Sequence, residues 1–192
     1  NTVLTREPGG TKSSELIRNL ILKDYFVKGN KEKFDKYTDT LLYLAARNEH
    51  IKNKIKPALL KKKVVICDRF VDSTVAYQVY GKKVEYNFIK NIHKKILNGV
   101  KPNIVFVLKV SKRASRERLK KRKTKNRYDN FTKSFYNKVQ NSFIKIAKKR
   151  KNYIILDSST NDNTLEHKIF DLCKKYLNIK WIIPFSLTQK IL

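Results

Sequence analysis

Short runs rich in β-branched residues alternate along the chain with longer stretches of helical period, and this pattern predicts an α/β order. Thr2-Val3-Leu4-Thr5 reads as a strand running into a Pro8-Gly9-Gly10 loop and then a helix from about Ser13 to Lys23. Leu41, Leu44, Ala45, Ile51 and Ile55 give 35–55 a helical period, with Pro57 opening its continuation. Val64-Val65-Ile66-Cys67 before Asp68-Arg69, and the run 104–110, have the pattern of parallel strands buried on both faces. Helices are predicted at 73–80, 84–97 and 111–122, then a polar connection at 123–130. A helix at 131–149 carries Phe135, Val139, Phe143, Ile146 and Ala147 as one stripe. A strand at 153–156 and a helix at 164–177 close the series. Such an order implies right-handed crossovers and a parallel sheet covered on both faces.

Length and composition narrow the picture. At 192 residues and 41% hydrophobic content, one domain with a real core is expected. No apolar stretch approaches the ~18 residues that a membrane span needs, so a cytoplasmic protein without membrane contact is expected. Cys67 and Cys173 have no Cys or His at metal-ligand spacing and read as buried thiols rather than a disulfide or zinc site. The chain opens on Asn1 and contains no methionine, from which we expect that its N-terminal part is missing. The stretch 178–192, with Trp181-Ile182-Ile183-Pro184-Phe185, is a tail of unassigned role.

A net charge of +29 invites a nucleic-acid reading. Composition accounts for it more simply: 35 of the 45 basic residues are Lys, scattered through a chain rich in Asn, Ile and Tyr. Nonspecific polyanion binding is expected, and no specific nucleic acid. The ten Arg are more informative, because their rigid fork grips phosphate in a way that Lys cannot. They include Arg6, Arg47, Arg69 and the cluster Arg113, Arg116, Arg118, Arg122 and Arg127.

Ligands of open parallel sheets bind beyond the carboxyl ends of the strands. Three polar signals fall there: Arg6 to Thr11, Asp68-Arg69, and the basic stretch after Val110. Arg69 would face an anion, and Asp68 resembles the acid that helps hold Mg²⁺ near phosphates. A surface ion pair would explain an isolated Asp-Arg equally well. Tyr43 and Arg47, four apart, share a helix face and could stack on a base and read its carbonyl; a snorkelling Arg beside a core Tyr is the plainer alternative. Asp72 to Gln78 offers hydroxyls, a phenol and an amide within two turns, or simply a helix cap and ordinary surface.

Taken together, Thr5-Arg6-Glu7-Pro8-Gly9-Gly10-Thr11, Leu41-Leu42-Tyr43-Leu44-Ala45-Ala46-Arg47 and Asp68-Arg69-Phe70-Val71-Asp72-Ser73-Thr74-Val75-Ala76-Tyr77-Gln78, in that order and spacing, resemble bacterial thymidylate kinase. Arg127-Tyr128-Asp129 and Phe135-Tyr136-Asn137-Lys138-Val139 extend the resemblance, and one domain over 1–177 with a lid at about 118–130 is expected. The resemblance implies a three-layer P-loop kinase fold that transfers a phosphoryl group from ATP to dTMP with Mg²⁺, in a homodimeric parent. It implies that Arg69 grips the dTMP phosphate, Tyr43 faces thymine and Arg47 bonds a thymine carbonyl. Ser73 and Thr74 would lie near the base's polar edge. Tyr77 would pack under the deoxyribose, Gln78 would border the pocket, and Glu7 and Pro8 would line its wall. Arg118, Arg122 and Arg127 would close over ATP, with Asp68 toward the metal.

The pattern G-x-x-x-x-G-K-[ST] that cradles ATP phosphates has no copy here. Gly10-Thr11-Lys12-Ser13 has Thr between Gly and Lys, and Gly81-Lys82 lacks both the first Gly and the final hydroxyl. In the family this loop and a central strand precede the residues seen here, so the expected fold lacks that strand and the P-loop. The polypeptide alone is then expected to be poorly stable and inactive. Lys109 departs from the family's usual acid. Another nucleotide kinase of the same fold is the nearest competitor, separable by a panel of dTMP, UMP, dCMP and thymidine. A basic nucleic-acid-binding protein is the more distant one, separable by a salt titration.

Overall fold

The computed structural model describes residues 1–22, 33–121, 131–159 and 164–177. Strand β1 (Thr2–Arg6) pairs in parallel with β2 (Val64–Asp68), setting Leu4 beside Ile66 and Arg6 beside Asp68. Strand β3 (Val105–Lys109) pairs in parallel with β4 (Tyr153–Asp157), setting Lys109 beside Asp157. Among the described residues no ladder joins β2 to β3, so there are two two-stranded sheets rather than one.

The first helix, α1 (Lys12–Leu22), starts where Thr11 and Ser14 cap each other reciprocally: the Ser14 N–H donates to Thr11 Oγ1 at 3.2 Å and the Thr11 N–H to Ser14 Oγ at 3.1 Å. Helix α2 (Lys36–His50) is capped by Asp35, which accepts the Tyr37 N–H at 2.7 Å. It continues through a π-helical segment (Ile51–Ile55) into α3 (Lys56–Leu60). Pro57 explains the widened turn, because it lacks an N–H and its ring crowds the carbonyl one turn earlier. A second π-helical segment (Val75–Gly81) follows α4 (Val71–Thr74), with no proline in it. Helix α5 (Tyr86–Leu97) ends on Asn98 in the left-handed region at φ 43°. Helices α6 (Lys112–Lys121), α7 (Lys133–Lys148) and α8 (Thr164–Leu177) follow.

The predicted elements are present with small shifts at their ends, but two expectations about burial fail. Ile66 is 53% exposed, Leu4 66% and Leu108 51%, so these strands are covered on one face rather than two. The physical reason is that no described helix packs over that side of either sheet. Cys67 and Cys173 are free and half-buried rather than fully buried. The core gathers between the helices and the covered sheet faces, from Ile21, Leu44, Ile51 and Ile89 in one half and Val139, Ile146 and Leu156 in the other. On α2 the buried face holds Asp39, Thr40, Arg47 and His50, while Leu41 and Ala45 point outward.

The two sheets are tied through side chains. Helix α7 packs on β3, β4 and the second π-helical segment, where a Cβ on Gly81 would lie 2.6 Å from the Phe135 ring. Tyr153 on β4 donates its hydroxyl to Asp72 on α4 at 2.7 Å.

Candidate active site

The carboxyl ends of β1 and β2 build one corner of the site. Glu7, just past β1, donates its N–H to the Asp68 carbonyl at 2.9 Å, which extends the ladder and fixes the Glu7 side chain beneath α2. There Arg47 meets it: Nε and Nη2 both lie 2.7 Å from Glu7 Oε2. Nη1 donates to Thr74 Oγ1 at 2.8 Å and to His93 Nε2 at 2.7 Å, and Nη2 donates to the Phe70 carbonyl at 3.0 Å. A guanidinium has five N–H groups, and all five are engaged within the protein. His50, one turn after Arg47, donates Nδ1–H to the other Glu7 oxygen at 3.1 Å, while its Nε2 lies 2.7 Å from Thr5 Oγ1. Glu7, Arg47, His50, Thr74 and His93 are all buried. His93 can only accept from Arg47, so its proton sits on Nδ1. Burial, followed by the Arg47 charge, pushes its pKa down to about 3.

A second cluster stands on the solvent side. Arg69 follows β2 in the left-handed region at φ 64°, a conformation that costs a non-glycine residue about 1 kcal/mol or more and is found preferentially at functional positions. Its exposed guanidinium lies 5.5 Å over the Tyr77 ring. Tyr77 is held from behind by Phe135 and Phe143 of α7, at centroid distances of 6.1 and 6.4 Å. Burial works against the Arg69 charge, but Tyr77, Asp68 and Tyr43 outweigh it and raise the guanidinium pKa. Tyr43 is half-buried on α2 one turn before Arg47 and also interacts electrostatically with Arg18. Asp68 is exposed at the rim, and among the described residues its carboxylate has no hydrogen bond or ion pair.

The loop after β1 shapes the wall. Gly10 has φ 95°, and a Cβ there would stand 2.5 Å from Thr5 Oγ1 and 2.6 Å from His50 Nε2. Its N–H donates to Glu15 Oε1 at 3.0 Å, and Arg18 donates to the Pro8 carbonyl at 2.6 Å. Burial raises the Glu15 pKa, but the Gly10 N–H, Arg6 and Arg18 together hold it below the usual value. Ser73 is half-buried, its N–H bonded to the Phe70 carbonyl at 3.0 Å. Gln78 is 1% exposed, and its Nε2 is the only buried side-chain polar atom among the described residues without a hydrogen-bond partner.

The structure therefore brings Glu7, Arg47 and Thr74 into direct contact and sets Arg69 against Tyr77. Arg118 is elsewhere, on α6, donating to the Ser158 carbonyl at 2.6 Å beyond β4. Arg122 and Arg127 lie outside the described residues, as do most of the expected lid and the tail after Leu177. Lys109 ends β3 beside Asp157, whose pKa is lowered by Ser159 first and by Lys109 as well. Gly10-Thr11-Lys12-Ser13, the nearest approach to a phosphate loop in sequence, is the capped start of α1. Sequence reasoning missed His50 and His93. His50 could have been found from its three-residue spacing to Arg47; nothing local marks His93, which reaches Arg47 only through the packing of α5 on α2.

A family model described as thymidylate kinase matches residues 1–169. The chain belongs to the thymidylate kinase family. The thymidylate kinase of Wolbachia pipientis wMel is 39% identical over 174 residues, spanning 89% of this chain and 83% of that protein. The Mycoplasmoides gallisepticum thymidylate kinase is 34% identical over 170 residues, spanning 88% and 78%. The crystal structure of thymidylate kinase from Ehrlichia chaffeensis superposes with a TM-score of 0.67 at 31% identity, covering 90% of this chain and 81% of the other. The fold is thus the α/β fold of the P-loop kinases, and the activity that of a dTMP kinase, a phosphotransferase with ATP as co-substrate and generally a divalent metal. Among the described residues no helix is long and apolar enough to cross a membrane.

Proposed function

We propose that dTMP binds at the carboxyl rim of β1 and β2, with Arg69 taking its phosphate. The observation that carries this is the Arg69 guanidinium, exposed at a strand end on a left-handed backbone and backed by the Tyr77 ring. A fork so placed can hold two phosphate oxygens at once. Tyr77 then packs under the deoxyribose and Tyr43 faces thymine. Ser73 and Thr74 stand at the base's polar edge, and Glu7 and Pro8 form the wall. The orphan Gln78 amide supports a ligand at this border, because a buried donor without a partner is a standing cost that a bound carbonyl would remove. Arg47 reads a thymine carbonyl by sharing the Nη1–H that it now gives to Thr74.

In the reaction a phosphate oxygen of dTMP attacks the γ-phosphorus of ATP, its bond to the β-phosphate breaks, and ADP leaves with the electron pair. The protein contributes position and charge and no covalent nucleophile. Arg69 offsets charge on the acceptor, while Arg118, Arg122 and Arg127 belong to the lid over the donor. An exposed carboxylate without a hydrogen bond or ion pair among the described residues fits Mg²⁺, which keeps most of its water and takes one or two carboxylates, so Asp68 would hold it. Mg²⁺ bound there supplies neutralisation of the phosphate oxygens.

This reading covers one kinase domain over 1–177. Leu16 and Leu20 on α1 and Leu41 on α2 are 69%, 43% and 48% exposed, and such a face suits a homodimer. Two free thiols agree with a cytoplasmic protein.

The decisive experiment is dTMP titration of Arg69→Lys. A point charge in place of a fork should weaken dTMP binding by about tenfold or more while thymidine binding stays unchanged. Equal loss for both ligands, or none for dTMP, removes Arg69 from the phosphate. A panel in which UMP or dCMP outcompetes dTMP would assign the pocket to another nucleotide.

A further inference from the structure

Four residues bond the Arg47 guanidinium, and three of them, Glu7, Thr74 and Phe70, lie in or beside the dTMP site. The fourth is His93. It sits on α5, is 6% exposed, and has no place in the phosphate or sugar chemistry. Its Nε2 accepts from Nη1 at 2.7 Å, the same nitrogen that donates to Thr74 at 2.8 Å. The two N–H bonds of one Nη are fixed about 120° apart, so occupying one with His93 dictates the direction of the other. Glu7 restrains the Nε and Nη2 side of the plane, and it is itself held by His50. Without an acceptor at position 93, the guanidinium keeps its ion pair but loses the restraint on the edge that faces Thr74.

We propose that His93 is a positioning residue for base recognition, an acceptor that aims the Arg47 Nη1–H toward the Thr74 edge of the pocket. This rests on the reading of the pocket as a dTMP site. The distance is that of a charge-assisted hydrogen bond, and burial shields it from competition by water. Truncating such a buried acceptor leaves an arginine N–H unpaired, whereas an acceptor restored at the same reach should restore the aim. Gln can place its Oε1 near the position of the imidazole Nε2; Leu fills the space and accepts nothing.

The test is dTMP and dCMP affinity by calorimetry for the full chain, His93→Leu and His93→Gln, with a thermal melt of each. His93→Leu should bind dTMP about tenfold more weakly and bring the dTMP-to-dCMP ratio toward one, while His93→Gln stays within about threefold of the parent on both measures. A merely structural role would lower both affinities together and leave their ratio alone, and that result overturns the proposal. Unchanged dTMP binding by His93→Leu overturns it as well. If His93→Leu does not melt cooperatively, His93→Gln decides alone: parent-like selectivity supports the role, and lost selectivity in a folded protein ends it. Failure of the parent to bind dTMP at all would sink the pocket assignment and this role with it, an outcome distinct from a parent that binds and a Leu variant that binds equally.

Discussion

Single residues in this molecule are constrained by what already surrounds them. Gly10 combines a left-handed backbone with a Cβ position only 2.5 Å from Thr5 Oγ1, so Gly10→Ala should destabilise the protein by ~2 kcal/mol or more, read from urea unfolding. A change within ~0.5 kcal/mol would mean that the loop is free to move. His93 gives a pH prediction. Its pKa is pushed down to about 3, so it stays neutral in the folded protein while the unfolded chain takes a proton below its ordinary value near 6.5. The unfolded state then binds more protons, and stability falls as pH falls between those limits, by up to ~1.4 kcal/mol per pH unit. His93→Gln should flatten that slope, measured as unfolding midpoint against pH. Arg47, Arg69 and Tyr77 were legible in the sequence because arginine is scarce and the Asp68 to Gln78 segment is dense in polar groups. The partners of Arg47 were not, since Glu7 and His93 approach it from 40 and 46 positions away.

Elements were more legible than their environments. The strand at 64–67 and the helix at 164–177 announce themselves by period and by their terminal residues, and the structure places them within a residue or two. Hydrophobic runs do not tell which faces find a partner, and that is why Ile66 and Leu108 are half exposed where full burial is expected. Nor does periodicity register a π-turn, although Pro57 marks the place of one. Helix α7 depends on its first residues: Thr132 accepts the Phe135 N–H at 3.2 Å and so satisfies one of the N–H groups that the helix leaves open. Thr132→Ala should cost ~1 kcal/mol. Because Phe135 backs Tyr77, the same variant should also weaken dTMP binding modestly, whereas a cap without that connection would change stability alone.

At the scale of the whole molecule, the two sheets are joined by packing of α7 and by the bond from Tyr153 to Asp72. Asp72 is 14% exposed, and the same phenol also accepts from Arg150 at 2.9 Å, so Tyr153→Phe should lower stability by about 1–2 kcal/mol, measured by urea unfolding. Hydrogen exchange of that variant should show β3 and β4 opening more often while β1 and β2 keep their protection; equal change in both pairs would mean that the halves unfold as one. The charge of +29 carries no such geometric content, spread as it is over lysines at the surface. The divided sheet has a mechanical consequence. Arg69 rides on one platform and Arg118 on the other, and sliding one platform past the other breaks no strand-to-strand bond. The spacing between these two cations is therefore set by side chains alone, the packing of α7 and the Tyr153–Asp72 bond, and warming should widen its distribution well before either ladder melts.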